Sequence, residues 1–309
     1  METDLDWKET VKNYYRPEQI LFDEPMAKHT TFRIGGPAEC YVIPDGAEQI
    51  RKTVALADEA GVPCHIIGNG SNLLVSDDGV PGIVIRMEEN SWEKTGTAEG
   101  GRDCFRVSAG SLFSSFAKAL CRDGYTGLEF ATGIPGSIGG AVVMNAGAYG
   151  GEVKDVLVSA DVLTKSGEIL TVPASELDLS YRHSNIDDKC YTVLSAVFAV
   201  KKSEDPEAVS ARVAELSEKR KEKQPLEYPS AGSTFKRPEG YFAGKLIDDC
   251  GLRGYRVGDA QVSEKHCGFV INRGNATAED VMQLISAVQR KVMEQFGIML
   301  EPEVRFLGF

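Results

Sequence analysis

Features that mark several large protein classes are missing from this chain of 309 residues. No stretch approaches the roughly 18 consecutive apolar residues that a membrane-spanning helix needs. The N-terminal sequence METDLDWKETVKNYY is charged and has no apolar core of the kind found in secretory signal peptides. From these absences we expect a cytoplasmic protein with no membrane partner.

Paired cysteines and clustered histidines are also missing. The seven cysteines include no C-x-x-C pair, and the four histidines are scattered along the chain. Structural metal sites and redox disulfides use closely spaced residues, so this pattern predicts no bound metal ion. In a reducing cytoplasm we expect the cysteines to be free, buried thiols.

Positive charge is scarce as well. There are 34 lysines and arginines against 46 aspartates and glutamates, which gives a net charge of −12. An acidic chain is repelled by nucleic-acid phosphates and by anionic lipids, so both are disfavoured as partners. The charge does not exclude a small anionic ligand. We expect a small-molecule substrate, no nucleic-acid partner and a monomeric protein.

Strand-like and helix-like patterns follow one another without an internal repeat, which predicts a mixed α+β fold. The helices that these patterns predict are 46–61, 111–124, 206–224, a short one at 241–251, and 277–296. We expect Ser111 to be the N-cap of the second helix, and Thr277 with Asp280 to form a capping box on the last. Residues 89–103 are polar and show no strand pattern.

Two glycine-rich segments follow predicted strands, IIGNGSNLLV at 66–75 and ATGIPGSIGGAVVMNAGAYG at 131–150. Neither has the lysine of a P-loop or the placement of a Rossmann G-x-G-x-x-G motif. Glycine permits positive φ and close backbone approach, so consecutive N–H groups can bind an anion. Alone, GNGSN is equally a simple turn, but the two segments together predict a site for one extended dinucleotide.

The second segment has almost no polar side chains. Asn145 is the only plainly polar one apart from hydroxyl groups. We expect that the missing side chains leave room for the ligand.

Six motifs are spread over nearly the whole chain, namely TTFRIGGPAE (30–39), GNGSNLLV (68–75), the segment 131–150, YRHS (181–184), AGSTFKRP (231–238) and LEPEVRFLG (300–308). In this order they resemble the motifs of the UDP-N-acetylenolpyruvoylglucosamine reductase (MurB) family. The resemblance is to the shorter, type II subclass, because no tyrosine-bearing insertion separates the strand at 191–200 from the helix at 206–224.

The fold that the resemblance implies is α+β with two functional domains. A two-part FAD-binding domain of the vanillyl-alcohol-oxidase (PCMH) type would cover 1–205, with lobes of about 1–85 and 86–205. A smaller α+β substrate-binding domain would cover 206–309.

The cofactor that the resemblance implies is FAD, held without a covalent bond, since the first glycine-rich segment has no histidine to attach it. The cofactor-binding residues implied in this way are Arg33, Gly68, Asn69, Gly70, Ser71, Asn72, Gly133, Ile134, Pro135, Gly136, Ser137, Gly140 and Ala141.

The implied reaction reduces UDP-N-acetylglucosamine enolpyruvate to UDP-N-acetylmuramate, with NADPH as hydride donor. Arg182 would stabilise negative charge at the substrate carboxylate, Ser233 would donate the proton, and Glu303 would help to stabilise the enol. From the residues alone, each has a simpler alternative. These are a surface arginine, a turn hydroxyl, and a strand residue paired with Arg305.

The resemblance also implies a set of substrate-binding residues, which are Tyr181, Lys223, Arg237, Lys245 and His266. Two other functions are open at this point. One is an FAD-linked oxidase of a small alcohol or hydroxy acid on the same fold. The other is a sugar-nucleotide-binding protein without catalytic activity.

Overall fold

The structure, a computed structural model, describes residues 6–309 and divides into two compact units. Unit 1 contains the chain up to Phe22, Cys40–Asn69 and Gly82–Lys219, whereas unit 2 contains Asp23–Glu39, Gly70–Pro81 and Arg220–Phe309. Each unit is therefore built from separate stretches of chain. The functional division into domains over 1–205 and 206–309 stays a prediction.

Helices and strands are mixed along the described residues. The α-helices there are α1 (Trp7–Lys12), α2 (Ala47–Ala60), α3 (Phe113–Arg122), α4 (Ile138–Val143), α5 (Pro206–Lys223), α6 (Ala243–Asp249) and α7 (Ala278–Phe296). The strands are β1 (Ile20–Pro25), β2 (Pro37–Val42), β3 (Cys64–Ile67), β4 (Leu73–Val75), β5 (Val80–Arg86), β6 (Trp92–Ala98), β7 (Arg102–Ser108), β8 (Tyr125–Thr126), β9 (Gly147–Ala148), β10 (Gly151–Glu152), β11 (Leu157–Leu163), β12 (Ile169–Pro173), β13 (Thr192–Lys202), β14 (Ser230–Ser233), β15 (Arg256–Val257), β16 (Ala260–Val262), β17 (Phe269–Asn272) and β18 (Arg305–Leu307).

The large sheet of unit 1 has the strand order β12-β11-β13-β7-β6, and its neighbouring strands are antiparallel. Helix α3 buries Phe113, Phe116 and Leu120, which recur at helical spacing. The rings of Phe113 and Phe116 lie with their centroids 5.8 and 5.6 Å from that of Phe198 in β13. These aromatic contacts pack the helix onto the sheet.

Strand β6 is an element that the sequence pattern missed. It lies within the polar stretch 89–103 and pairs with β7, with Trp92 opposite Val107. The side chains between Trp92 and Ala98 are all exposed. A strand at the edge of a sheet that shows both faces to water carries no apolar alternation, which is why the pattern gave no signal.

A second sheet has the strand order β1-β2-β5-β3. Within unit 1, β3 and β5 run parallel, with Cys64 opposite Ile83. Helix α2 buries Ile50 and Leu56 in the same apolar cluster as Ile83. The helix ends at Gly61, which has a φ of 65°, so the predicted helix 46–61 and its glycine stop are confirmed.

Unit 2 contains the antiparallel sheet β14-β17-β16-β15 and a parallel pair formed by β4 and β18. The predicted capping box of α7 is confirmed, because the Asp280 N–H donates to Thr277 Oγ1 at 3.0 Å and the Thr277 N–H donates to Asp280 Oδ2 at 3.1 Å. The apolar face of α7 packs into the core of the unit through Val281, Leu284, Ile285, Val288 and Val292.

The predicted N-cap of α3 was wrong. The helix begins at Phe113, one residue after Leu112 in the N-cap position. Ser111 is fully buried, and its hydroxyl is 2.8 Å from the Ser108 hydroxyl and accepts the Ser91 N–H at 3.0 Å. The serine therefore joins a buried polar cluster instead of capping the helix.

All seven cysteines are free thiols, as predicted. Their burial was predicted too broadly, since Cys40, Cys121 and Cys267 are buried whereas Cys190 is exposed. Within residues 6–309, the structure contains no helix of the length and apolar character needed to cross a membrane.

Candidate functional site

The two glycine-rich segments touch each other inside unit 1. A Cβ atom on Gly68 would lie only 1.9 Å from Ser137 Oγ and 2.8 Å from Ser137 Cβ, so no side chain fits at this position. The Asn69 side-chain amide donates to the Pro135 carbonyl at 2.7 Å. Residues 66 and 69 positions apart in the chain are therefore held together where the sequence predicted one shared ligand.

Backbone N–H groups at this junction have no acceptor in the part of the chain that the structure describes. Within residues 6–309, the N–H groups of Asn69, Gly136 and Ser137 donate to no acceptor. Because backbone donors in native proteins are nearly always paired with protein or with water, these groups are available to a ligand with accepting oxygen or nitrogen atoms, as FAD has. The other cofactor residues predicted in this segment, also in unit 1, are Gly133, Ile134, Gly140 and Ala141.

Internal packing explains part of the glycine content of the segment 131–150. A Cβ on Gly139 would lie 3.2 Å from the Ala109 side chain, and one on Gly147 would lie 2.6 Å from the Gly151 carbonyl. These positions are small because the protein's own chain approaches them. The expectation that the missing side chains leave room for a ligand was therefore too broad. Gly140 is different, since it is exposed and a Cβ there would have no contact closer than 3.6 Å.

The remainder of the first glycine-rich segment lies in unit 2. Gly70 has a φ of 59°, and a Cβ there would lie 2.1 Å from the His29 carbonyl. The Gly70 carbonyl accepts the Thr31 N–H at 3.2 Å. Within the described chain, the N–H groups of Gly70 and Ser71 donate to no acceptor. Arg33, also in unit 2, is exposed with a φ of 56°.

The predicted catalytic residues Ser233 and Glu303 are connected through the backbone of unit 2. The Glu303 N–H donates to the carbonyl of Thr234, next to Ser233, at 2.8 Å. The Asn72 side-chain amide donates to the Glu303 carbonyl at 3.0 Å, and the Arg305 N–H donates to the Asn72 carbonyl at 2.9 Å. Unit 2 therefore brings together one predicted cofactor residue and two predicted catalytic residues.

Arg182 lies in unit 1, in a tight turn with strained backbone. Ser180 and His183 exchange backbone hydrogen bonds of 3.2 Å across the turn. Arg182 has a φ of 55°, a value that glycine or asparagine normally supplies. Its guanidinium carbon lies 5.1 Å from the ring centroid of Tyr181, which is 48% exposed. Such strain persists only where the surrounding structure holds it, and it is often found at functional sites.

The strain at position 182 leads to a prediction about stability. Arg182→Ala and Arg182→Gly remove the same functional group, but alanine keeps the cost of positive φ. We expect the glycine variant to be the more stable of the two by about 0.5–1 kcal/mol. Urea unfolding of both variants measures the difference. An alanine variant as stable as the glycine variant would show that position 182 carries no backbone strain.

His266 is a half-buried, neutral histidine in unit 2. Its Nδ1 accepts the Gly268 N–H at 3.1 Å, and its ring centroid lies 5.1 Å from that of Phe269. Burial lowers the pKa of His266, and the positive charges of Arg253 and Lys223 lower it further. Since Nδ1 accepts, the ring proton is on Nε2, which can donate to an oxygen atom of a ligand.

The lowered pKa of His266 predicts how stability depends on pH. The folded state binds the proton less well than the unfolded state, so its stability is fully present above the unfolded pKa of about 6.5 and decreases as the pH falls below it. We expect His266→Gln to reduce this acid-side loss. His65 has a pKa lowered by burial and contributes in the same direction, so the loss is not abolished. Unfolding in urea at several pH values tests this, and an unchanged slope in the variant contradicts it.

The other predicted substrate residues have differing surroundings. Lys245 forms an ion pair with Asp249 on α6, so the carboxylate partly neutralises the charge of the lysine. The Arg237 guanidinium carbon lies 4.0 Å from the ring centroid of Phe242. Tyr181 belongs to unit 1, whereas the remaining predicted substrate residues belong to unit 2.

Sequence reasoning did not assign a role to Asn145. This residue is fully buried, and its side chain makes three hydrogen bonds, one of them to the carbonyl of Ser180 in the Arg182 turn. The available signal was its isolation as the one plainly polar side chain in an apolar, glycine-rich segment.

Protein-family models match both parts of the chain. One described as the C-terminal domain of UDP-N-acetylenolpyruvoylglucosamine reductase matches residues 224–307. One described as an FAD binding domain matches residues 38–173. The predicted cofactor, FAD, is confirmed by this match.

Curated relatives resemble the chain over almost its full length. UDP-N-acetylenolpyruvoylglucosamine reductase from Agathobacter rectalis is 56% identical, covering 94% of this chain and 94% of the relative. The enzyme of the same name from Lachnoclostridium phytofermentans is 54% identical, covering 96% of each.

Solved structures agree with these relatives. The UDP-N-acetylenolpyruvylglucosamine reductase (MurB) of Thermus caldophilus has a TM-score of 0.76 and 34% identity, and the match covers 94% of this chain and 98% of that one. BBE-like 1 of Physcomitrella patens, with a TM-score of 0.50, 19% identity and coverage of 63% of this chain and 44% of that one, shows a likeness of fold alone. The predicted α+β fold with an FAD-binding domain of the vanillyl-alcohol-oxidase type is confirmed. With relatives above 50% identity over more than nine-tenths of its length, the chain belongs to the UDP-N-acetylenolpyruvoylglucosamine reductase family.

Proposed function

We propose that this protein is an FAD-dependent reductase that converts UDP-N-acetylglucosamine enolpyruvate to UDP-N-acetylmuramate with NADPH, in the synthesis of peptidoglycan precursors. The observation that carries the proposal is the chain of hydrogen bonds from Asn72 through Glu303 to Thr234, beside Ser233. It ties a residue of the dinucleotide-binding segment to the two residues proposed to handle the proton and the enol. Family membership supports the same conclusion.

The residues proposed to hold FAD present backbone donors and small side chains. In unit 1 these include Asn69, Gly136 and Ser137, and in unit 2 they include Gly70 and Ser71, all with N–H groups that no protein acceptor within residues 6–309 takes up. Such donors suit phosphate oxygens and the carbonyls of a flavin ring. When bound, FAD takes a hydride from NADPH and supplies one to the CH₂ carbon of the enolpyruvyl group.

Arg182 is proposed to bind the substrate carboxylate. Hydride addition to the CH₂ carbon places negative charge on the adjacent carbon and, through conjugation, on the carboxylate. A guanidinium keeps its charge at all physiological pH values and can donate two parallel hydrogen bonds to a carboxylate. Its interaction strengthens as the charge develops, which lowers the barrier.

Ser233 and Glu303 are proposed to complete the reaction. The Ser233 hydroxyl would give its proton to the carbon next to the carboxylate, which forms the second new C–H bond of the product. Within residues 6–309, Ser233 makes no side-chain hydrogen bond, so its hydroxyl is available to a ligand. Glu303 would stabilise the enol form during this transfer.

The UDP group is proposed to contact Tyr181 and the cationic or neutral donors of unit 2, Lys223, Arg237, Lys245 and His266. Neutral His266 would donate from Nε2, and Lys245 would exchange its ion pair with Asp249 for the ligand. We further propose a cytoplasmic, monomeric protein with an FAD-binding domain over 1–205 and a substrate-binding domain over 206–309.

An anaerobic titration tests this function against its alternatives. NADPH should bleach the yellow, FAD-loaded protein, and UDP-N-acetylglucosamine enolpyruvate should then restore the colour. Protein that NADPH leaves yellow but that a small alcohol or hydroxy acid bleaches is an oxidase. Protein that binds the sugar nucleotide but no FAD has no reductase activity.

A further inference from the structure

We propose that Asn145 is a positioning residue for Arg182. Its side chain holds the turn of residues Ser180–His183, which contains Arg182, through a hydrogen bond to the Ser180 carbonyl. The inference rests on the proposed function, in which Arg182 binds the substrate carboxylate. It concerns residues of unit 1 alone.

The backbone conformation of this turn is strained and therefore energetically unfavourable on its own. It is closed by two backbone hydrogen bonds of 3.2 Å between Ser180 and His183. Arg182 has a φ of 55°, at a position where a side chain is disfavoured. A turn with this residue would relax to another conformation unless neighbouring groups held both of its ends.

Two partly buried side-chain hydrogen bonds hold those ends. At the first, Asn145 Nδ2 donates to the Ser180 carbonyl at 2.9 Å. At the second, the Ser184 hydroxyl donates to the Val143 carbonyl at 2.8 Å. Val143 is the last residue of α4, and Asn145 follows it closely, so the turn is fixed to the segment 131–150 that is proposed to contact the flavin.

The chemistry of this position requires asparagine. Asn145 Nδ2 also donates to Glu152 Oε2 at 2.6 Å, and Oδ1 accepts the Lys154 N–H at 2.9 Å. A carboxylate can only accept and a backbone N–H can only donate, so these partners fix which way the amide points. Asn145 also has a φ of 40°, which asparagine tolerates better than most residues.

Each alternative residue would lose part of this arrangement. Aspartate has the same shape but neither donor, and it would set a second negative charge against Glu152. Glycine accepts the backbone conformation but makes no side-chain bond. Both variants lose the two donated hydrogen bonds, but only Asn145→Gly also relieves the backbone strain. Comparison of the two therefore shows whether an effect comes from the lost hydrogen bonds or from the backbone strain.

The test uses the FAD-loaded protein and three measurements. Hydrogen exchange of the peptide containing residues 178–186 should accelerate about tenfold in Asn145→Gly, since a partly buried hydrogen bond to the turn is lost. Bleaching by NADPH should stay within about twofold of wild type, because Arg182 has no part in it. Recolouring by the enolpyruvyl sugar nucleotide should slow by about 10- to 100-fold, because Arg182 would be displaced from its position at the substrate carboxylate. Asn145→Asp should show the same pattern.

Thr53→Val is the matched control. Thr53 is likewise fully buried in unit 1, with its hydroxyl 2.7 Å from that of Tyr15, but it makes no bond to the turn. It should lower thermal stability without changing either half-reaction or exchange at 178–186.

Two results would overturn the inference. One is Asn145→Gly with normal recolouring, and the other is an equal slowing of bleaching and recolouring, which would mean general damage. If the wild-type protein itself is never recoloured by the sugar nucleotide, the proposed function fails, while hydrogen exchange still shows whether Asn145 holds the turn.

Discussion

Ser233→Ala should leave the bleaching of the flavin by NADPH unchanged and slow the recolouring by UDP-N-acetylglucosamine enolpyruvate by about 10²–10⁴-fold. The first half-reaction needs no proton from the protein to a substrate carbon. The second places a proton on the carbon next to the carboxylate, and alanine has no proton to give. Anaerobic stopped-flow absorbance of the flavin measures both rates in one sample.

Ser230→Ala provides the control for this prediction, since Ser230 begins the same strand and the change is chemically identical. It should recolour at close to the wild-type rate. Recolouring at the wild-type rate in Ser233→Ala would remove Ser233 from the mechanism, and loss of bleaching in that variant would indicate damage to FAD binding.

Gly68→Ala should produce protein that loses its FAD. The added Cβ would lie 1.9 Å from Ser137 Oγ and 2.8 Å from Ser137 Cβ, so rotation of the hydroxyl alone cannot relieve the contact. One of the two glycine-rich segments has to shift, at a cost of about 1–3 kcal/mol. If the unshifted contact between the segments is needed to bind the cofactor, FAD affinity falls by about 10- to 100-fold. Titration of the apoprotein with FAD measures the change.

Two further variants sharpen the test. Gly96→Ala adds the same methyl group to unit 1 where a Cβ meets nothing within 4 Å, so FAD affinity should not change. Gly68→Ala combined with Ser137→Gly removes both clashing atoms and should recover part of the affinity. Full FAD affinity in Gly68→Ala alone would mean that contact between the segments plays no part in cofactor binding.

Local sequence patterns predicted the elements that bury one apolar face. Helix α7 combines a capping box at Thr277 with apolar residues at helical spacing, and both are present in the structure. Strand β6 was missed because its exposed side chains carry no alternation. Ser111 was assigned to a cap on local grounds, but a contact with Ser91, 20 residues away, takes up its hydroxyl. Patterns within a few residues cannot report such a partner.

The candidate site depended on knowledge beyond local pattern. The glycines of 131–150 suggested an extended ligand, but the sequence could not separate Gly139, which packs against Ala109, from exposed Gly140. The contact of Asn72 with Glu303 joins residues 231 positions apart, and the hydrogen bond from Asn145 to Ser180 in the Arg182 turn joins residues 35 positions apart. The family resemblance identified the candidate site residues, and the structure shows their distances and contacts.

The most direct test of the central claim is the mass of the product. Purified protein with FAD, NADPH and UDP-N-acetylglucosamine enolpyruvate is incubated without oxygen, and the sugar nucleotide is then analysed by mass spectrometry. We expect a product heavier by two hydrogen atoms, formed in equal amount to the NADPH oxidised. An unchanged sugar nucleotide, with NADPH consumed only when oxygen is admitted, would contradict it.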